Sequence, residues 1–201
     1  MKIIAALPTR GLIFARTISS LIENKVDDIV IVEGMPIPDA HNKAVSGALE
    51  KGATHIWMVE EDHYFQPGTL QKLLDLKAEV ACANYPMRDG GKIGVVRIVD
   101  DKVFNCGTGC MLVKREVFEK IGEPYFDSSK TFNPHTWKVS DIPAEYGGQD
   151  IYFGWKLKQL GIEIRQVPDY QVGHLRCPQL LREEKNDGSY TINEIEKLSK
   201  P

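Results

Sequence analysis

Residues 54–63 read THIWMVEEDH, and this stretch decides the fold class. Its first six residues, 54–59, form a short apolar run with β-branched and aromatic side chains, which is typical of a buried β-strand. Three acidic residues, Glu60, Glu61 and Asp62, follow the run directly. In open α/β sheets, ligands bind outside the carboxyl ends of the strands. We therefore predict a strand of a mostly parallel sheet that ends in an acidic site.

The three adjacent carboxylates repel one another, so the end of this strand needs a counter-charge. A divalent cation with phosphate ligands would supply it, since hard cations prefer carboxylate oxygens. The alternative is a solvated acidic turn leading into a helix that begins near Pro67, where acidic side chains favour the helix dipole. The residues of this stretch leave both interpretations open.

The segments around the acidic stretch alternate between strand and helix patterns, as in a parallel α/β sheet flanked by helices. We predict strands at residues 2–7, 28–32, 54–59, 79–84, 109–113 and 162–167. Apolar residues at helical spacing predict helices around residues 14–22, 44–49, 67–74, 117–121 and 149–160.

The second half of the chain contains two less regular features. Residues 93–99 and 102–104 are predicted to form a small antiparallel hairpin around Asp100 and Asp101. Residues 123–147 form a long stretch rich in proline and aromatic residues, and loops of that length are often binding segments or lids.

Length and composition indicate an ordinary globular chain. With 201 residues, an apolar fraction of 42% and a net charge of −3, we expect one domain over residues 1–201 and no nucleic-acid partner. No run approaches the roughly 18 apolar residues of a membrane span. The opening residues 1–7 are interpreted as a strand rather than a signal peptide, so we expect a cytoplasmic protein. The four cysteines are too few and too irregular for a disulfide scaffold.

Two further residues, Asp150 and His174, are candidates for a catalytic base and a metal ligand. Asp150 follows Gly147 and Gly148 at the predicted start of a helix, where a carboxylate could act as a general base or simply cap the helix. His174 lies beyond the last predicted strand, and imidazole is a common metal ligand. Taken alone, each residue has an ordinary structural explanation.

The order of these features resembles the GT-A fold glycosyltransferases, in particular family 2. Glu60-Glu61-Asp62 is similar to the family's Asp-x-Asp motif, residues 107–122 to its Gly-rich strand and following helix, and Gln149-Asp150 to its catalytic Glu-Asp. The resemblance implies metal binding by Asp62, His174 and Glu60, with Mn²⁺ or Mg²⁺ as the ion. It also implies that Asp150 is the catalytic base of an inverting sugar transfer.

The resemblance extends to the binding of both substrates. It implies that residues 1–84 bind the nucleotide sugar, that residues 85–176 bind the acceptor and carry out catalysis, and that residues 177–201 form a polar tail. Donor binding is expected of Pro8, Thr9, Arg10, Glu33, Lys43, Glu60 and Glu61. Acceptor binding is expected of Thr108, Gly109, Trp137 and Gln149. The partners are then a nucleotide-diphosphate sugar, a UDP-sugar by default, and a carbohydrate or other hydroxyl acceptor.

Two departures from the family pattern keep other functions open. Glu60 replaces the first Asp and lengthens that arm, while Gln149 replaces the usual Glu and removes an acid beside the base. One alternative is a nucleotide- or sugar-binding module of the same fold without catalysis. The other is a nucleotidyltransferase, although residues 7–11, LPTRG, match the phosphate loop of that class poorly.

Overall fold

The computed structural model describes residues 1–34, 37–86, 97–99, 102–132, 139–140, 146–175, 181–184 and 190–193. In chain order the strands are β1 (Ile3–Thr9), β2 (Asp28–Glu33), β3 (His55–Val59), β4 (His63–Tyr64), β5 (Val80–Asn84), β6 (Arg97–Val99), β7 (Lys102–Asn105), β8 (Cys110–Lys114), β9 (Thr131–Phe132), β10 (Val139–Ser140), β11 (Tyr146–Gly147), β12 (Ile164–Gln171), β13 (Gly173–His174), β14 (Leu181–Glu184) and β15 (Tyr190–Asn193). The helices are α1 (Ala15–Glu23), α2 (Ile37–Glu50), α3 (Thr69–Asp75), α4 (Arg115–Ile121) and α5 (Gln149–Gln159).

The central sheet has eight strands in the order β2-β1-β3-β8-β5-β12-β7-β6. Strands β1, β2 and β3 pair in parallel, as do β5 and β12, whereas β8 is antiparallel to both of its neighbours. Strand β7 is antiparallel to β12 and to β6. Six strands therefore point one way, and β7 and β8 point the other. The predicted mostly parallel α/β sheet is confirmed.

Helices cover both faces of this sheet. Along β1, Ile4 and Ala6 face one side, where they join a core that includes residues of α2, α4 and α5. Ile3, Ala5 and Leu7 face the other side, where residues of α1 and α3 pack. This alternation is the two-residue period of a strand buried on both faces, which is why the run reads as continuously apolar.

The predicted hairpin is confirmed by β6 and β7, and β7 also joins the main sheet beside β12. Residues 93–96, 100 and 101 of that prediction lie outside the described residues. Within the predicted irregular stretch 123–147, β9 pairs with β10 and β11 in a small antiparallel sheet. Strands β14 and β15 form a further hairpin in the predicted polar tail.

Two predicted boundaries were wrong. The third helix begins at Thr69 and not at Pro67, because Gly68 before it has a left-handed backbone with a φ of 86° that a helix does not accommodate. The last central strand begins at Ile164 and continues to Gln171, past the predicted end at residue 167. Its register with β5 shifts between Gln166 and Gln171, so the chain continues along the sheet through an irregularity.

The sequence argued against a disulfide scaffold and against a membrane span, and the described residues bear on both. Cys82, Cys106 and Cys110 are free and buried, while Cys177 lies outside the described part of the chain. None of the helices in the described residues is long and apolar enough to cross a bilayer.

Candidate active site

A short pairing outside the central sheet builds the core of the site. Strand β4 follows the acidic end of β3, and it pairs antiparallel with β13 so that His63 lies opposite His174. One ligand atom from each of Asp62, His63 and His174 lies within 4.8 Å of the others. The predicted ligands Asp62 and His174 are thus brought together, and His63 joins them as a third donor.

The geometry of the three side chains is compact. The Oδ1 atom of Asp62 lies 3.3 Å from Nδ1 of His63, and its Oδ2 atom lies 3.3 Å from Nε2 of His174. The two imidazole rings stack with centroids 4.7 Å apart and planes 19° apart. The two carboxylate oxygens of Asp62 therefore each face a different imidazole nitrogen.

The protonation pattern of His174 suits a metal ligand. Its Nδ1 atom lies 2.9 Å from the carbonyl oxygen of Pro86, and because a carbonyl can only accept, Nδ1 carries the proton. The lone pair is then on Nε2, which faces Asp62. The neighbouring Asp62 carboxylate raises the pKa of His174, and the Pro86 carbonyl contributes in the same direction although burial opposes both.

His63 fits the same role. Its side chain is fully buried, and within the described part of the chain neither ring nitrogen makes a hydrogen bond. Leaving buried polar atoms without a partner costs about 1–3 kcal/mol each, so such atoms in a folded protein call for an explanation. A divalent cation among these three donors would satisfy them, since Asp and His are ordinary ligands of transition metals. The residues present therefore fit a metal ion.

Glu61 receives its counter-charge from the protein itself. Its carboxylate accepts hydrogen bonds from the Thr9 hydroxyl at 2.7 Å, the Arg10 amide at 2.8 Å and Arg10 Nε at 2.7 Å, and it pairs with the Arg10 guanidinium. Partial burial acts to raise the pKa of Glu61, but the bonds from Thr9 and Arg10 outweigh it and hold that pKa below its usual range. Glu61 thus orders the end of β1 against the end of β3.

Glu60 is held from another direction. The buried Thr108 hydroxyl donates to Glu60 Oε1 at 2.8 Å, and the same hydroxyl oxygen lies 3.1 Å from Nε2 of His41. His41 is itself buried, and its Nδ1 atom lies 2.7 Å from the carbonyl oxygen of Ile37. Burial lowers the pKa of His41. Glu60, predicted to assist the metal, lies outside the group of three donor atoms and is tied to α2 instead.

A pocket of about 200 Å³ lies at the carboxyl ends of β1 and β3, and of the three candidate metal ligands Asp62 lines it. Seven of the residues predicted from the sequence line it: Pro8, Thr9, Arg10, Glu60, Glu61, Asp62 and Gln149. Sequence reasoning missed three others, Ile37, Ala40 and His41, which come from the first turns of α2. His41 lies two residues before Lys43, for which donor binding was predicted, and that proximity is the signal that could have identified it.

The remaining predicted site residues lie elsewhere. Glu33 and Lys43 are exposed, Glu33 at the end of β2 and Lys43 on α2, and neither lines the pocket. Gly109 is buried beside His63 and Tyr85. Trp137 lies outside the described residues. Tyr125 and Phe126, near the start of the predicted irregular stretch 123–147, are buried in the core next to α4 and α5.

Asp150 lies in the first turn of α5, one residue after the pocket-lining Gln149. Its Oδ2 atom accepts a hydrogen bond from the side-chain amide of Asn105 at 3.1 Å. The helix begins after Gly148, whose φ of 149° is one that residues with a side chain rarely adopt. The predicted base is thus half-buried at a helix start, as the sequence indicated.

No protein-family model matches the chain, and neither does any curated protein sequence. Several solved structures resemble it. A197 from STIV superposes with a TM-score of 0.62 at 19% identity, over 96% of this chain and 94% of that one. GalNAc-T7, solved with UDP, GalNAc and Mn²⁺, superposes with a TM-score of 0.58 at 10% identity, over 88% of this chain and 44% of that one.

The mannosyltransferase PcManGT from Pyrobaculum calidifontis, in complex with GDP-Man and Mn²⁺, superposes with a TM-score of 0.56 at 13% identity, over 89% of this chain and 58% of that one. The fold is GT-A-like. At these identities the likeness concerns the fold, and this chain spans about half the length of the two transferases. The resemblance noted in the sequence is confirmed at the level of the fold, and membership of family 2 stays a prediction.

Proposed function

We propose that this protein transfers a sugar from a nucleotide-diphosphate sugar to an acceptor hydroxyl, and that the reaction depends on Mn²⁺ or Mg²⁺. The observation that carries the proposal is the group of three donor side chains, Asp62, His63 and His174, of which Asp62 also lines a pocket at the carboxyl ends of the strands. In a GT-A-like sheet, that edge is where a ligand is expected. The two neighbouring transferase structures contain Mn²⁺ together with a nucleotide or a nucleotide sugar.

The binding of the donor follows from the residues that line the pocket. Pro8, Ile37 and Ala40 offer apolar surface to a base or ribose, and Arg10 offers a guanidinium that is more than half exposed although it is paired with Glu61. Asp62, His63 and His174 would hold the cation. When bound, the cation acts as a Lewis acid that neutralises charge on the leaving diphosphate. We expect the nucleotide to be UDP. The proposed location is the cytoplasm, where buried cysteines stay reduced.

The chemistry at the acceptor is assigned to Asp150. Its carboxylate takes the proton of the acceptor hydroxyl, and the acceptor oxygen forms a bond to the anomeric carbon as the bond from that carbon to the diphosphate oxygen breaks. The proton ends on Asp150 and the electron pair leaves with the nucleoside diphosphate. A single displacement of this kind inverts the anomeric centre.

The first experiment is calorimetric binding of UDP, GDP, CDP and dTDP, with and without Mn²⁺, to the wild type and to Asp62→Ala. We expect one nucleotide to bind in a manner that needs both the metal and Asp62. Asp28→Ala is the matched control, because Asp28 forms a surface ion pair with Lys51 away from the pocket. Binding of none of the four nucleotides in the presence of Mn²⁺ would contradict the proposal.

A second measurement separates an enzyme from a binding module. Incubation with UDP- and GDP-sugars should release free nucleoside diphosphate in a metal-dependent way. Nucleotide binding without such release would indicate a non-catalytic module of this fold. Release of pyrophosphate from a nucleoside triphosphate and a sugar phosphate would indicate a nucleotidyltransferase instead.

A further inference from the structure

The side chain of Asn105 is a buried polar group that the proposed mechanism does not yet use. Asn105 is the last residue of β7 and is 1% exposed. Its amide nitrogen donates to Oδ2 of Asp150 at 3.1 Å. Its amide oxygen has no hydrogen-bond partner among the described residues. Among the described residues, the hydrogen bond of this buried side chain is the one to the Asp150 carboxylate.

A second buried asparagine shows what a purely structural amide looks like in this chain. Asn24 donates from Nδ2 to the carbonyl oxygen of Ser20 at 2.9 Å, and its Oδ1 accepts from the amide of Leu70 at 3.1 Å. Both ends of Asn24 bind backbone groups and connect α1 to α3. Within the described part of the chain, the Asn105 side chain binds no backbone group, so a structural connection like that of Asn24 does not explain its burial.

The Asp150 carboxylate is approached from two sides. Asn105 contacts Oδ2, and the backbone of Gly148 lies so close to Oδ1 that a β-carbon added there would be 2.9 Å from it. A carboxylate bonded by an N–H group on one oxygen has a restricted orientation and a stabilised negative charge. Both properties are those that a general base needs before its substrate arrives.

From this arrangement we infer that Asn105 is a positioning residue, which orients Asp150 and keeps it ionised for proton abstraction from the acceptor. The inference rests on the proposed function. Asn105 itself touches no reacting atom. An amide suits this task because it donates a hydrogen bond without adding a charge that would hold the carboxylate in an ion pair.

Tyr85 and Cys106 are two titratable groups near Asp150. Burial raises the pKa of Tyr85, at the end of β5, well above its usual value, and the negative charges of Glu60 and Asp150 raise it further. The neighbouring Cys82 thiol, burial and the charge of Asp150 raise the pKa of Cys106, next to Asn105. Both groups therefore stay neutral near pH 7 and add no charge beside Asp150, and the described hydrogen bonds show the Asn105 amide as a donor to Asp150.

The test uses Asn105→Leu, which removes the donor at similar size, and Asn105→Asp, which keeps the shape but can only oppose the carboxylate with another acidic group. The control is Asn24→Leu, which removes a buried amide far along the chain from Asp150. Melting temperatures of all variants show which of them fold. The ionisation of Asp150 is followed by the carboxyl-carbon NMR signal during a pH titration in the presence of Mg²⁺, a readout that needs no turnover.

We expect the Asp150 signal to titrate about one pH unit higher in Asn105→Leu than in the wild type, further still in Asn105→Asp, and at an unchanged pH in Asn24→Leu. For a sugar nucleotide that the wild type turns over, kcat of Asn105→Leu should fall about 10- to 100-fold. The acidic limb of the pH profile of Asn105→Leu should move upward by about one pH unit, as the Asp150 signal does. The KM for the donor should not change.

The outcomes separate the inference from the proposed function. An Asp150 signal that titrates alike in the wild type and Asn105→Leu overturns the inference, even if sugar transfer by the wild type upholds the function. A shifted signal together with no turnover of any sugar nucleotide by the wild type overturns the proposed function, and the positioning role of Asn105 in sugar transfer with it. A shifted signal with an unshifted pH profile also overturns the positioning role.

Discussion

At the scale of single residues, the three acidic side chains of the site each have identifiable partners. Asp62 faces two imidazoles, Glu61 is bound by Thr9 and Arg10, and Glu60 is bound by Thr108. The three adjacent acidic residues are tolerated because different groups of the protein surround each carboxylate. Protein groups bind the carboxylates of Glu61 and Glu60, and the proposed cation site is at Asp62 and the two histidines.

His63 is a proposed ligand that the sequence-based prediction omitted, so it gives a sharp test of the metal site. His63→Ala should weaken Mn²⁺ binding at least about tenfold, because it removes one of three donors and metal sites lose about that much even from changes outside the first shell of ligands. Calorimetry with Mn²⁺ measures the effect. His55→Ala is the control, since His55 begins β3 at the opposite end of that strand. Equal Mn²⁺ affinity in the wild type and His63→Ala would contradict the assignment.

The proposed base gives a second residue-scale prediction. Asp150→Asn should lower sugar transfer by about 100-fold or more, since a positioned general base contributes about 10²–10⁴-fold to a rate. Nucleotide binding should be unaffected, because Asp150 does not line the pocket. Initial rates and calorimetry on the same preparation measure both. Substantial remaining transfer would exclude Asp150 as the base.

Glu61 gives a prediction about stability. Because its pKa is lowered in the folded protein, its contribution is fully present above the unfolded pKa of about 4.3 and is lost as the pH falls through the folded value. Glu61→Gln should therefore lower the free energy of unfolding by on the order of 1 kcal/mol at pH 7 and by less at pH 3. Urea unfolding at both pH values measures this difference. Glu79→Gln, which breaks an exposed ion pair with Lys120, should have little effect at either pH.

At the scale of elements, the site depends on two short segments that lie close to each other. Strand β13 brings His174 to His63, and the turn before β8 places Gly109 directly against the His63 ring. An ideal β-carbon on Gly109 would lie 2.6 Å from Nε2 of His63 and 2.9 Å from the Tyr85 ring. A glycine is needed there because no side chain fits while His63 keeps its position.

Gly109→Ala should therefore abolish Mn²⁺ binding or reduce it at least about tenfold, by displacing His63 from its position beside Asp62. Gly47→Ala is the matched control. Gly47 lies in the middle of α2, where a β-carbon would approach only the Val30 side chain, at 3.1 Å. We expect Gly47→Ala to bind Mn²⁺ as the wild type does. Normal Mn²⁺ affinity in Gly109→Ala would show that His63 does not need its present position.

At the scale of the whole molecule, a bound cation should connect parts of the chain that are far apart in sequence. Asp62 and His63 follow β3, whereas His174 follows β12. A ligand that binds the folded state alone stabilises it by about 2.7 kcal/mol at a concentration 100 times its Kd. In a chain of this size each kcal/mol corresponds to roughly 2–4 °C in Tm.

Addition of Mn²⁺ at that ratio should thus raise Tm by about 5–10 °C in the wild type and not in Asp62→Ala, and EDTA should reverse it. Protonated imidazole does not bind metal, and the pKa of His174 is raised, so the increase should shrink as the pH falls. The Mn²⁺-induced increase in Tm should begin to shrink at a pH above about 6.5, the ordinary pKa of histidine. Thermal scans at several pH values measure it. An increase that persists at pH 5 would contradict this set of ligands.

The sequence by itself determined the class of fold and most of the pocket. Continuous apolar runs such as residues 3–7 and 55–59 are what a strand buried on both faces requires, and the acids after β3 must lie at the carboxyl edge of the sheet. Pro8, Thr9 and Arg10 follow β1, which pairs in parallel with β3, so they reach the same edge. Local periodicity and chain direction carry this information.

The tertiary structure alone decided the partners. The pairing of His63 with His174 spans 111 positions of the chain, and that of Asn105 with Asp150 spans 45. Nothing local marks either pair. His63 reads as one more residue of an acidic turn and Asn105 as the end of a strand, because hydrogen-bond partners and orphaned ring nitrogens exist only once distant strands pack together. For the same reason His41 gained its place in the pocket only when α2 packed against the turn that holds Thr108.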